Sequence, residues 1–289
     1  MHTLHAACAL AIACASGAAS AAWQFDVDTG FLYDSNLTRA YAPADVRADG
    51  AFTLDAAAGS FWALSGADGL MVSADVRTEA YHRFHGLNLV GVGASAVYRH
   101  KFGLGYAAPR LALTVSGTHD DYRGDIRDSN QLEARAELGQ RFTPEFDAAF
   151  GGRYERRYAS NDRPVVPGVS GKVFDLRGES VYARAGYAIT DRLLLGAELA
   201  ARRGDVVATT RPDFEIFAVS DAIAADPTFG ADFFAYRLRG TTDTAKVSAS
   251  WALDDRSSLN LIYADERTDA AGGVAYRSHS ASLTFAWRY

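Results

Sequence analysis

Cysteine is almost absent: Cys8 and Cys14 are the only two in 289 residues, and both fall in the opening segment. The body of the chain therefore offers no disulfide framework and no cysteine metal ligand. An excess of basic charge is missing too. With 29 Lys and Arg against 35 Asp and Glu, the net charge is −6, which gives no electrostatic footprint for nucleic acid. Beyond residue 22 no run of about 18 apolar residues occurs, so no membrane-spanning helix is expected. Only 7 prolines and 22% charged residues, with a mean hydropathy of −0.10, describe a chain that folds.

The cysteines sit in "MHTLHAACALAIACASGAASAAWQ", an alanine-rich apolar stretch that ends in the small residues Ala19, Ser20, Ala21 and Ala22. That order reads as a secretory signal over residues 1–22 with cleavage near its end. Residues 23–289 then form the mature domain. By hydropathy alone that domain looks water-soluble. Its periodicity says otherwise.

Segment after segment alternates with period two, the spacing that sends successive side chains to opposite faces of a strand. In "LMVSADVRTEA", Leu70, Val72, Ala74, Val76 and Ala80 share one face, and Ser73, Asp75, Arg77 and Glu79 the other. "QLEARAELGQRF" sets Leu132, Ala134, Ala136 and Leu138 against Gln131, Glu133, Arg135 and Glu137. A row of acid, base and acid is costly inside a sandwich core but suits the polar interior of a barrel.

Strands are expected near residues 23–34, 51–63, 69–82, 88–100, 109–122, 130–142, 146–159, 173–189, 192–203, 233–252, 257–268 and 274–289. The fold class is thus all-β: a transmembrane antiparallel up-and-down barrel of about 12 strands. Long and short connections alternate along the chain, as loops on one rim and tight turns on the other require. Aromatics crowd the strand ends, suggesting two interfacial girdles. One holds Trp23, Trp62, Tyr98, Phe142, Phe146, Tyr187, Trp251 and Trp287; the other Tyr33, Tyr81, Tyr122, Tyr158, Tyr236 and Tyr263. The alternation changes phase near Gly178 and again between Arg239 and Lys246, through a bulge or through strands that rise above the membrane.

The final segment, "SASLTFAWRY", places Leu283, Phe285, Trp287 and Tyr289 on one face. In those positions it resembles the C-terminal signal by which barrel-assembly machinery recognises its clients, and the domain resembles Gram-negative outer-membrane β-barrel proteins of porin-like type. The resemblance implies the outer membrane as location, and outer-membrane lipid, lipopolysaccharide and the assembly machinery as partners. More narrowly, "YDSNLTRA" from Tyr33 to Ala40 resembles the first strand–loop junction of surface lipoprotein assembly modifier barrels. That implies an alternative role in exporting or assembling another protein.

The polar faces bring Asp26, Asp28, Asp55, Asp75, Arg77, Glu79, Arg99, Glu133, Arg135, Glu137, Arg153, Glu155, Arg157, Arg184, Glu198, Arg202, Lys246 and Arg288 to the expected lumen. They fit either a charged channel for small solutes or a lattice of ion pairs that fills a narrow barrel. A loop of about 29 residues before Phe233 is long by the standards of compact domains. It is expected to fold over or into the lumen, anchored by Phe214, Ile216 and Phe217. No enzyme, cofactor or metal site is expected. In "SHS" the serines adjoin His279 and so point to the opposite face, where a lipid hydrolase needs both groups on one side. Asp120, Asp121, Asp125 and Asp128 lack the spacing of a calcium loop.

Overall fold

The protein is described here by a computed structural model over residues 23–289; the expected signal over residues 1–22, with Cys8 and Cys14, lies outside the described residues. Twelve strands close into an antiparallel barrel, with one short extra strand above it. The first six are β1 (Trp23–Asp34), β2 (Asp49–Ala63), β3 (Asp68–Tyr81), β4 (Leu89–Lys101), β5 (Arg110–Tyr122) and β6 (Ser129–Arg141). There follow β7 (Phe146–Ala159), β8 (Leu176–Ala188), β9 (Leu193–Thr210), β11 (Phe234–Ala252), β12 (Ser257–Ala270) and β13 (Ala275–Arg288). The extra strand is β10 (Ala222–Ala225), which follows the short helix α1 (Phe214–Val219).

Closure follows from the need to satisfy every backbone group where no water is available. Strand β13 returns to β1 with Val27 opposite Trp287, Thr29 opposite Phe285 and Phe31 opposite Leu283. Tyr289 continues the seam, its amide donating to Phe25 O at 2.8 Å. Inside the seam Arg288 Nε meets Asp26 Oδ1 at 2.6 Å. Neither sheet edge is left open.

Outward-facing Phe31, Val76, Val92, Val115, Leu132, Phe150, Val181, Leu199, Val247 and Leu261 are all exposed. Together they form a band around the ring. Such a belt is untenable in water and is what hydrocarbon requires, so the barrel is an outer-membrane barrel. Connections 64–67, 102–109, 142–145, 189–192 and 253–256 join the strands at one rim and mark the periplasmic end. Residues 35–48, 82–88, 123–128, 160–175, 211–233 and 271–274 form the outer loops.

One expectation needs correcting, and one pair of alternatives is decided. The outer girdle is partial: Tyr33, Tyr158 and Tyr263 are exposed on the outward face, but Tyr81, Tyr122 and Tyr236 take the inward parity. Nor is there a bulge at either change of phase. Pairing runs without a slip through β7–β8, β8–β9 and β9–β11, so Arg177, Glu179 and Arg239 are simply outward residues above the apolar band.

Strands β9 and β11 outrun their neighbours. The β8 ladder stops at Gly178 opposite Gly204, and the β12 ladder at Gly240 opposite Ala270, while Gly204 and Gly240 face each other. Gly204 has φ 156°, and a Cβ there would collide with the Arg177 carbonyl oxygen. This glycine row is where the β9–β11 hairpin leaves the wall. Beyond it, β10 pairs with the freed edge of β11, and the Thr209 amide donates to Thr38 O of the first loop at 2.8 Å.

Candidate functional site

Strand parity fixes which side chains enter the barrel, because directly opposite residues share a face. The register gives all the expected lumen residues the inward parity, from Asp26 on β1 to Arg288 on β13. Many are ion-paired. Glu137 is held by Arg184 at 2.6 Å and by Arg135 at 2.5 Å, with the Tyr182 hydroxyl donating at 2.9 Å. Arg202 meets Glu155 at 2.5 Å, Lys246 meets Glu198 at 3.0 Å, and Arg153 lies 3.8 Å from Glu133. Arg77 on β3 reaches over β4 to Asp120 on β5 at 2.7 Å, above Gly91. Glu79 accepts from the Tyr81 hydroxyl at 3.1 Å.

The unpaired carboxylates are segregated from the ion-paired arginines. Asp28 and Asp55 face each other across β1 and β2, and Asp75 lies on β3 beside them. Among the described residues these three have no cation within 4.0 Å. Arginines 135, 153, 184 and 202 gather on β6 to β9, on the opposite side of the ring. The lumen therefore holds unpaired carboxylates along β1 to β3 and interleaved, ion-paired arginines and glutamates along β6 to β9. A polar solute between them is held by charge of both signs.

At the periplasmic end lies a cavity of about 870 Å³, lined by Arg99, Arg110, Arg135, Glu137 and Arg184 and bordered by the Ser65–Gly66 turn. Lys101 and Arg110 belong to this wall but were not among the expected lumen residues. Lys101 falls just past the expected strand 88–100, although it continues the parity of Arg99.

The outer end is closed by loops that bind one another. Arg127 pairs with Asp226 of the long loop at 2.5 Å, both buried. Asp45 of the first loop receives Arg211 Nε at 2.6 Å and the Thr210 hydroxyl. Leu87, Phe229 and Phe233 pack together with Leu37, joining three loops through apolar contact. Both faces of the β9–β11 extension are covered: Val206, Ala208, Tyr236 and Leu238 pack with Ile216, Ile223 and Val274. On the other face Val207 and Ala235 meet Ile126, Val173 and Phe174.

The expected anchors divide. Ile216 is 1% exposed and central, whereas Phe214 is 87% and Phe217 36% exposed. A helix of six residues presents only one narrow face to the core, and Ile216 takes it. The aromatic that enters the outer lumen is instead Phe174, buried with the Arg127 guanidinium 4.9 Å and the Arg157 guanidinium 5.1 Å from its ring centre. Arg157 Nε also donates to Ser129 Oγ at 2.8 Å.

The polar residues of "YDSNLTRA" are consumed locally. Asn36 Nδ2 donates to Ala40 O at 3.0 Å, and the Ser278 hydroxyl donates to Asp34 Oδ1 at 2.8 Å. Arg39, at φ 52°, joins Asp34 at 2.8 Å and Ser278 at 2.9 Å. His279 faces outward and stacks on Tyr263. The four loop aspartates go separate ways: Asp120 to Arg77, Asp125 to Arg163, Asp128 to the Tyr122 amide, and Asp121 outward.

No protein-family model matches the chain, and no curated protein matches it in sequence. Solved structures match its fold. An outer-membrane channel from Pseudomonas putida F1 aligns over 94% of this chain and 97% of its own, with TM-score 0.56 and 12% identity. The KdgM porin in complex with disordered oligogalacturonate aligns over 91% and 98%, with TM-score 0.45 and 10% identity. The translocator domain of the autotransporter NalP from Neisseria meningitidis covers 92% and 88%, with TM-score 0.44 and 9% identity. The likeness to the first of these, at 12% identity, establishes the fold alone, that of an outer-membrane barrel.

Proposed function

We propose that the protein is a porin-like channel for small solutes, whose outer mouth is closed by its loops in the conformation described. The reading rests on the lumen. A barrel that served only as a scaffold gains nothing from carboxylates left unpaired against each other, as Asp28 and Asp55 are, since like charges directly opposite are destabilising. In a solute path they are carboxylates free to meet a passing solute, across the lumen from a wall of ion-paired arginines and glutamates. The passage continues into the cavity at the periplasmic end.

Passage requires the loop cap to move. The extension of β9 and β11 is tied to the barrel wall at the glycine row, and most of its other attachments are to loops, with Ala159, Ala270 and Tyr276 at the outer strand ends packed beside it. Displacement there leaves the barrel ladders intact. Liposome swelling tests the reading. Vesicles carrying the folded protein should admit small neutral and charged solutes and exclude large oligosaccharides. Equal impermeability to all of them, in wild type and in a variant lacking residues 212–232, would overturn it.

A further inference from the structure

Three cations at the periplasmic end stand apart from the rest of the lumen. Arg99 and Lys101 point inward from β4 and Arg110 from β5, with Lys101 directly opposite Arg110 and Arg99 opposite Ala112. Two like charges at facing positions are destabilising unless something else neutralises them. Among the described residues none of the three has a carboxylate within 4.0 Å. The nearby arginines differ, because Arg135 and Arg184 are both committed to Glu137.

The trio lines the cavity of about 870 Å³. That volume is in the range of pockets for small molecules. The two strands are joined to their neighbours on both sides, so the backbone that carries the cations is fixed before any ligand arrives. Two guanidinium groups and an ammonium offer planar, two-point donation together with a point charge. Phosphate and carboxylate oxygens satisfy that donor set best.

We propose that Arg99, Lys101 and Arg110 form a binding site for a small oxyanion-bearing solute, one with a phosphate or more than one carboxylate. The site deepens the channel reading by giving the solute's class, and it is reached from the periplasmic end. An anion there removes the repulsion between Lys101 and Arg110 and supplies the missing partner of Arg99.

Inorganic phosphate is the probe, titrated calorimetrically into the full-length folded protein in detergent at low ionic strength. Saturable binding is expected. The triple variant R99Q/K101Q/R110Q should lose affinity by on the order of tenfold or more. Arg288→Gln removes a lumen cation already paired with Asp26 and should leave the affinity unchanged. A retained heat-modifiable gel shift certifies that each variant is folded. No binding by wild type, or equal loss in both variants, would overturn the site. Because binding is read without conduction, phosphate binding by a barrel that admits no solute would sink the channel reading alone. Permeation without phosphate binding would sink only the site.

Discussion

Arg127 and Asp226, 99 residues apart in sequence, meet at 3.0 and 2.5 Å through both terminal guanidinium nitrogens and both carboxylate oxygens, buried among the outer loops. Removing one partner leaves the other charged and unpaired away from water, at a cost of about 3–5 kcal/mol. Asp226→Asn should therefore loosen the cap without opening the barrel ladders. Limited proteolysis of the folded protein is expected to cut the variant within residues 211–233 at least tenfold faster than wild type, a modest fraction of that cost. Equal resistance would show that the pair does not hold the cap.

The wall gives a sharper contrast. Val92 is exposed on the outward face of β4, whereas Ser95 points inward, 2.8 Å from Ser73. Val92→Arg should cost about 2–4 kcal/mol where the side chain meets the bilayer midplane. Ser95→Arg should be tolerated, since its charge stays in a polar lumen. Reversible denaturation in lipid vesicles measures both, and equal losses would contradict the register.

Gly91 is the floor under the Arg77–Asp120 bridge. A Cβ at this position would lie 2.7 Å from Asp120 Oδ1 and 2.9 Å from Arg77 Nε. Gly91→Val should push the two groups apart and destabilise the barrel by about 1–3 kcal/mol, as overpacking does. Gly117 is the control, because a Cβ there meets Leu132 at an ordinary 3.4 Å. Gly117→Ala should leave the unfolding midpoint within about 0.5 kcal/mol of wild type.

Acid and alkali should both release the first loop from the long one. Burial raises the Asp45 carboxyl, but hydrogen bonds from Thr210 and Arg211 outweigh it and leave the group below its ordinary value of 3.8. The Asp213 carboxyl is lowered chiefly by the Tyr41 hydroxyl, which donates to it at 2.5 Å. The same bond pushes Tyr41 up to about 12. Depressed carboxyls stabilise the fold above their unfolded values and lose that contribution as pH falls through the folded ones. The raised phenol contributes fully below about pH 10 and loses its share as pH climbs toward its folded value. Protection of the long loop should be flat from about pH 5 to 9 and fall on both sides. Tyr41→Phe should abolish the alkaline fall and, by removing the bond that lowers Asp213, shrink the acid fall to the share of Asp45. Loop protection is read by labelling a cysteine placed at Ser220 with pulses at a common pH.

Alternation made most of the barrel legible, because a strand with lipid on one side and charge on the other writes its period directly into the sequence. Strand β1 and strand β7 fall on the expected residues, and most other ends shift by one or two positions. What stayed hidden depends on contacts between distant loops. No local pattern pairs Arg127 with Asp226 or lays Phe174 between two arginines. Of the three expected anchors Phe214, Ile216 and Phe217, only Ile216 takes the buried position, because helix direction, not hydrophobicity, chooses it. Lys101 lies at a turn boundary, where its amide donates to Ala67 O and the Phe102 amide to Pro109 O, so that the strand extends beyond its apolar stretch. The phase changes were visible. Only the ladders show that they mark strands leaving the membrane.

Single-channel recording in planar bilayers tests the central claim most directly, with wild type and Asp226→Asn measured side by side. The account predicts discrete conductance steps from the folded barrel, more frequent or longer in the variant whose cap is loosened. Baseline current from both proteins, with their barrels shown to be folded and inserted, would contradict it.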